Sequence, residues 1–345
     1  MAVWLVRAGR SGEYENKFLK DNKIYLTWDG LNVDLSTIPD RQKLLQYLLE
    51  FYENEKKNTV RNWVGQIFPF AQKIQKSDWI VCPSKFKATI HIGEVIGDYV
   101  FNAKAEDPYY HSREVKWFAR DIPRTNFDQD LLYSFGAFMT VCQIKRNNAE
   151  ERLKEMKKNN WMPLKKGTIP KHIQDEVQDD ENTMADLEQI AGDQIAKLLI
   201  QKFKGHGMAV IIESILKAKG YTTFRSPEGP DKGIDILAAL APMGFGKPRL
   251  CVQVKTQDNP VERNILDQLI GAMANFGADQ GLLVSWGGFK NSIEKERASQ
   301  FFKVRLWSQK EIIEEFLENY DKLSDEIKTE IPLKKIWTLS SSEEE

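Results

Sequence analysis

Cysteine is scarce in this chain of 345 residues. Cys82, Cys142 and Cys251 stand far apart in apolar surroundings with no CxxC pair, which excludes a disulfide framework and a thiolate metal site and leaves them as core fillers. The four histidines, His91, His111, His172 and His206, are scattered, which argues against a zinc or HNH-type centre. His206, between two glycines at a helix entrance, reads as a turn or cap residue. No GxxxxGK[ST] loop is present, so nothing supports nucleotide hydrolysis by this chain. No apolar run approaches the roughly 18 residues that span a bilayer, and no charged-then-apolar leader pattern opens at Met1, so a cytoplasmic protein with no membrane partner is expected. Net charge is lacking too: a formal value of -1 neither favours nor excludes a polyanionic partner.

Against these absences stand large apolar resources. The chain is 41% hydrophobic with 18 Phe and 9 Trp, enough to bury sizeable cores, and its length suggests two domains. The charge is unevenly spread. Eight carboxylates and no Lys or Arg fall between Gln174 and Asp193, so the remainder is net positive. This acidic stretch follows Met162–Pro170, which holds two prolines and no periodic apolar face, and together they mark a linker. The boundaries expected are a first domain over 1–155, an acidic linker over 156–190, a second domain over 191–325 and a charged tail over 326–345.

In the first domain, Val3–Val6 and Lys23–Trp28 read as strands, and Arg41–Tyr52 and Thr59–Ile74 carry the helical apolar period. Three β-rich segments follow, bounded by Pro and Gly: Asp78–Pro83, Thr89–Phe101 and Arg113–Trp117. They predict a small barrel-like sheet with helices packed on it. Glu150–Asn160 reads as a solvated helix. The second domain opens with helices at Thr183–Phe203 and Met208–Lys219. Strands follow at Tyr221–Arg225, Ile234–Ala239 and Arg249–Lys255. Then come a helix over Val261–Phe276, a strand over Gly281–Ser285, a helix over Ser292–Gln300, a strand over Val304–Trp307 and a helix over Ser308–Tyr320. The fold class is α/β (α+β overall), with a mixed sheet flanked by helices in the second domain.

The chemistry concentrates in that second sheet. Asp235 stands in an apolar segment, and Gln253 and Lys255, two apart on a neighbouring strand, share one face. A carboxylate on a buried strand is costly unless it is paired or bound to a cation. One reading is a structural Asp235–Lys255 ion pair. The other is a centre for phosphodiester hydrolysis, which needs a hard cation held by oxygens and a group that positions water. In that reading Asp235, the Gln253 side-chain oxygen and the Val254 carbonyl are the metal ligands. Lys255 orients water and steadies the phosphorane, and Glu213 completes the shell or acts on the water.

Gly205–Met208, Ile212–Tyr221, Gly233–Ile236, Val252–Lys255 and Gly281–Val284 together resemble the Mrr branch of the PD-(D/E)xK nuclease superfamily, in the family's order. That branch carries Gln in place of the usual acid before xK, so Gln253 fits it. The resemblance implies Mg2+-dependent cleavage of double-stranded DNA, with Mn2+ able to substitute, and carries Glu213, Asp235, Gln253 and Lys255 onto the family's functional positions. Gln268, on the following helix, is a further candidate for the site.

Val3–Val6, Thr59–Gln66, Lys76–Val81 and Ile92–Val95 resemble the EVE and YTH branch of PUA-like domains, which implies recognition of a flipped, modified base in an aromatic pocket. The candidates are Trp28, Asn62, Trp63 and Trp79 for the base, with Arg61 or Arg113 for phosphate. Trp79, like Trp4, also has the makings of a plain core strand residue. Together the two resemblances imply a modification-dependent, type IV-like restriction endonuclease acting on foreign DNA; two cuts need two active centres, so a homodimer or DNA-induced pairing is expected. A catalytically silent DNA-binding module and an RNA-directed nuclease are the alternatives.

Overall fold

Val3–Val6 and Trp79–Pro83 are apolar at almost every position because both faces of the sheet they build are covered, and every residue of both segments is buried. The computed structural model describes residues 1–137, 139–163, 186–227 and 233–337. The chain divides into two compact units, Met1–Ile190 and Ala191–Glu345.

The first unit runs β1 (Val3–Val6), α1 (Glu15–Asp21), β2 (Lys23–Leu26), α2 (Arg41–Phe51), α3 (Lys57–Gln72), β3 (Trp79–Pro83), β4 (Thr89–Val95), β5 (Val100–Phe101), β6 (His111–Pro123), α4 (Gln129–Phe135), β7 (Val141–Gln143) and α5 (Ala149–Lys158). Its strand order is β2-β6-β4-β3-β1-β7, with β5 also on β6. Only β1 and β3 pair in parallel; the other pairs are antiparallel. Alternation along each strand feeds two cores. Trp4, Val6, Ile80 and Cys82 point to the side of α1, α2 and α3, while Val3, Leu5, Trp79 and Val81 point to the side of α4 and α5. The sheet path ends on β2 and β7, which do not pair with each other among the described residues, where the sequence predicted a small barrel-like sheet.

Local chemistry sets the helix limits. Asp40 caps α2 by accepting from the Gln42 and Lys43 amides at 2.9 Å. In α3, Val60, Val64, Ile67, Phe70 and Ala71 form the buried stripe.

The second unit comprises α6 (Leu187–Lys202), which opens at the division, then α7 (His206–Ala218), β8 (Thr222–Arg225), β9 (Ile236–Ala239), β10 (Arg249–Lys255), α8 (Arg263–Phe276), β11 (Gln280–Ser285), α9 (Asn291–Glu294), β12 (Val304–Trp307), α10 (Gln309–Asn319) and α11 (Asp325–Glu330). The sheet order is β12-β11-β10-β9-β8. β10, β11 and β12 run parallel, and β9 and β8 continue antiparallel. One face packs Ile236, Val252, Val254 and Val284 against α7 and α10; the other packs Cys251, Leu283 and Leu306 against α8.

Three differences from the sequence reading have physical causes. Between residues 291 and 300 only Ile293 is buried, and one apolar anchor does not sustain the helix expected to Gln300, so α9 stops at Glu294. The expected charged tail from 326 begins as packed structure, because Ile327 and Ile331, four apart, enter the core of this unit. Asp186, in the acidic stretch read as linker, accepts from the Gln189 amide at 2.9 Å and pairs with Lys85 at 3.2 Å. Thr183, the expected N-cap of the helix now seen as α6, and the tail Ser341–Glu345 lie outside the described residues.

Candidate active site

β9 begins only at Ile236, so Asp235 sits at the mouth of the strand rather than within it. Its backbone is pinned on both sides: the Asp235 amide donates to the Val252 carbonyl and its carbonyl accepts from Ser226, each at 2.9 Å. Ser226 adds a second tie, its hydroxyl donating to the Ile234 carbonyl at 2.7 Å. Beyond the last ladder pair, Ile236 with Val252, the Asp235 carboxylate itself takes the Val254 amide at 2.7 Å. Val254 therefore meets Asp235 through its N–H.

Gln253 lies on the face of β10 that carries Cys251, towards α8, and is 1% exposed. Its Oε1 is buried with no hydrogen-bond partner among the described residues. Gly233 makes room for it: a Cβ there would stand 3.4 Å from Gln253 Nε2, and the Gly233 φ of +81° independently favours glycine. Lys255, half-buried on the same face, ends the strand. Its ammonium has no ion pair or hydrogen bond among the described residues, so the structural Asp235–Lys255 pair does not form.

A buried amide oxygen without a donor is expensive, and the expense is removed if the oxygen faces a cation. Gln253 Oε1 and Asp235 are both hard oxygen donors, the type Mg2+ takes, and Mg2+ characteristically keeps several waters and uses one or two protein carboxylates. The residues therefore fit such an ion. Among the described residues no cluster of three or more His, Cys, Asp or Glu side chains could hold a metal, so the fit rests on the mixed amide and carboxylate pair.

Glu213 is placed differently from expectation. It is buried on α7, and its oxygens accept from Thr223 Oγ1 at 2.8 Å, Lys217 Nζ at 2.9 Å and Arg225 Nε at 3.0 Å. Burial alone would raise its pKa. The hydrogen bonds from Lys217 and Thr223 and the charges of Lys217 and Arg225 override it and hold the carboxyl below the usual glutamate range. Its carboxylate thus fastens α7 to β8. Gln268 is exposed, outside the buried stripe of Leu266, Leu269, Ala272 and Met273 on α8.

Sequence reading missed Thr256, next to Lys255. Its hydroxyl accepts from the Gly205 amide at 3.2 Å and ties the end of β10 to the start of α7. Gly205 has φ +72° and ψ -132°, a backbone region open to glycine, so a glycine ahead of a helix with no side-chain cap was the available signal.

In the first unit, Trp63 is half-buried and meets Tyr52 edge-on at 5.1 Å; Trp28 is half-buried against the same core. Asn62 Oδ1 accepts from Gln66 at 2.6 Å, and Arg61 is exposed with one bond to Asn58. Trp79 is 5% exposed, in the opposite core, edge-on to Phe118 and covered by the Lys157 ammonium at 4.9 Å. Arg113 is 4% exposed and donates to the Phe70 and Ala71 carbonyls at 2.8 and 2.9 Å, which leaves it no reach to a phosphate. Burial pulls its pKa down to about 10. The structure thus groups Trp28, Asn62, Trp63 and Arg61 on the helical side and sets Trp79 and Arg113 apart as packing residues. No helix among the described residues is long and apolar enough to cross a membrane.

Residues 200–316 match the family described as "Restriction endonuclease" (Mrr_cat), and residues 4–145 match a domain of unknown function (DUF8426). No curated protein matches the chain. Two solved structures share distant similarity. The DNA modification-dependent restriction endonuclease AspBHI is 11% identical at a TM-score of 0.32, over 82% of this chain and 69% of its own. The MspJI restriction endonuclease in complex with a 27-mer oligonucleotide is 12% identical at 0.31, over 74% and 63%. Those two are too remote to carry a functional argument. The C-terminal unit carries an Mrr-type restriction-endonuclease domain.

Proposed function

We propose that this chain, whose second unit carries a restriction-endonuclease domain, is a modification-dependent, type IV-like endonuclease that hydrolyses phosphodiesters of double-stranded DNA with Mg2+. The observation that carries the reading is the buried, unpartnered Gln253 Oε1 beside Asp235, with the unpaired Lys255 two residues along the same strand face. Asp235 and Gln253 are the groups that hold the ion. When bound, such an ion neutralises charge developing on the phosphate oxygens and lowers the pKa of water. Lys255 donates to the attacking water or to a non-bridging phosphate oxygen, and it has no ion pair among the described residues to compete with that role. The Val254 amide fixes the Asp235 rotamer, and Gly233 leaves space for the Gln253 amide, so the donors are set before substrate arrives.

The first unit, over about residues 1–155, is the reader in this proposal, a PUA-like domain of EVE or YTH type that takes up a modified base. Two strands require two cuts, and a homodimer supplies two centres.

A substrate panel tests the reading. The purified chain is incubated with Mg2+ and matched duplexes bearing unmodified, methylated, hydroxymethylated or glucosylated cytosine, or methylated adenine, alongside an RNA of the same sequence. Fragments from one modified duplex alone support the proposal. Cutting of RNA alone, or equal cutting of all duplexes, overturns it. A second reading, a DNA-binding scaffold without catalysis, is favoured by one observation: Glu213 is spent on Lys217, Thr223 and Arg225 rather than on an ion. Binding without cleavage in the panel would select that reading.

A further inference from the structure

The turn Trp28-Asp29-Gly30 is held from two directions. Tyr52 Oη donates to the Asp29 carbonyl at 2.9 Å, and the Gly30 amide donates to both oxygens of Asp107, at 2.9 and 3.1 Å. Asn32 adds a third tie, donating to the Ala103 carbonyl at 3.3 Å. Each anchor brings an aromatic ring with it. Tyr52 packs edge-on against Trp63, and Tyr109, two residues beyond Asp107, packs edge-on against Tyr14 at 5.7 Å. Tyr14, Trp28, Tyr52, Trp63 and Tyr109 are all partly buried against one core.

Within that aromatic setting the Asp29 carboxylate is exposed, with no hydrogen bond or ion pair among the described residues, while the Asp107 carboxylate is spent on Gly30. Burial raises the Tyr14 and Tyr52 phenols, and Asp29 is the next contributor to both, which sets its charge near both anchor rings. The adjoining helix has the opposite sign. From Lys56 to Lys76 there are five cations and no carboxylate, and Lys56, Lys57 and Arg61 are exposed on the first turns of α3. An exposed carboxylate among partly buried aromatics, beside a cationic helix, suits a polyanion that presents one unstacked ring with an N–H donor.

We propose that Asp29 is the base-reading acceptor of the first unit and that it selects an unstacked nucleobase bearing an exocyclic amino group, a modified cytosine or adenine. The inference rests on the reader function proposed above and names the residue that reads the base. A carboxylate accepts from the amino group of cytosine or adenine, whereas a thymine-type base puts carbonyl oxygens at the exocyclic positions of its pairing edge, which the carboxylate repels. Trp63 offers a stacking surface, and Lys57 and Arg61 meet the flanking phosphates.

The test measures competitive binding of the full chain, in metal-free buffer so that nothing is cut, to duplexes with one central 5-methylcytosine, 5-hydroxymethylcytosine, N6-methyladenine or 5-hydroxymethyluracil, against the unmodified duplex. The wild type is expected to prefer one of the amino-bearing modified duplexes. Asp29→Asn is expected to lose that preference by on the order of tenfold, with unchanged melting temperature. Preference retained in Asp29→Asn, or strongest for 5-hydroxymethyluracil, overturns the assignment and leaves the reader function standing. No preference for any modified duplex removes both.

Discussion

The Val254 amide donates to Asp235 Oδ2 at 2.7 Å, one residue beyond Gln253, whose side-chain Oε1 is buried without a partner among the described residues. In one short stretch of β10 a backbone donor is thereby supplied to the acid, and an unsatisfied acceptor is left beside it. That asymmetry makes a cation the natural complement of the site, and it yields a prediction at Gln253. Gln253→Glu adds a negative charge where an uncompensated oxygen now lies, so Mg2+ or Mn2+ should bind about tenfold more tightly. Without metal the same variant should melt lower as pH rises, because a buried carboxylate ionises unpaired. Calorimetric titration and thermal melts in chelator check both halves.

Gly233→Ala should impair the centre more than the fold. The left-handed backbone costs a non-glycine residue about 1–2 kcal/mol, and the new methyl group would stand in van der Waals contact with Gln253 Nε2, 3.4 Å away, so that relief of the backbone strain shifts the amide. Single-turnover cleavage should fall at least tenfold while the melting temperature drops by only a few degrees. A cleavage loss no larger than the stability loss explains would contradict the positioning role.

Glu213 carries a pH signature. Its folded-state pKa lies below the ordinary glutamate value of 4.5, so its stabilisation is complete above that value and is lost as pH falls through the lower folded value. Glu213→Gln should therefore cost on the order of 1–3 kcal/mol near neutrality, and the deficit should shrink on acidification below pH 4.5. Denaturant melts of both proteins across that window read the difference.

Arg113→Ala should destabilise without touching DNA affinity. Two buried carbonyls, of Phe70 and Ala71, lose their donors, at about 2–3 kcal/mol in all. The salt dependence of DNA binding should not change. Arg61→Ala is the contrasting variant, expected to lower the slope of log affinity against log salt by about one.

Much of the second unit was legible in the sequence, because Arg249–Lys255 and Ser308–Tyr320 carry unambiguous spacing, and Ser308 with Glu311 forms the capping box that fixes the start of α10. The polar triad Asp235, Gln253 and Lys255 was legible for a related reason: polar residues in apolar strands are conspicuous. The engagement of Glu213 by Arg225 was not, since it depends on a strand partner whose register only the folded sheet defines. The same holds for Arg113 and Trp79, which have the composition of a binding surface and the burial of a core. Thr256 escaped notice because its role is to receive one backbone amide from a helix entrance fifty-one residues earlier in the chain.

The most direct test of the central claim is single-turnover cleavage started by Mg2+ on a susceptible duplex, comparing the wild type with Asp235→Asn and Lys255→Ala. Both variants are first confirmed folded by circular dichroism and melting temperature. The account predicts fragments with the wild type, none without Mg2+, and a loss of at least a hundredfold in rate for each variant, in line with removal of a group that stabilises transition-state charge. Cleavage at the wild-type rate by either variant would contradict the assignment of this centre.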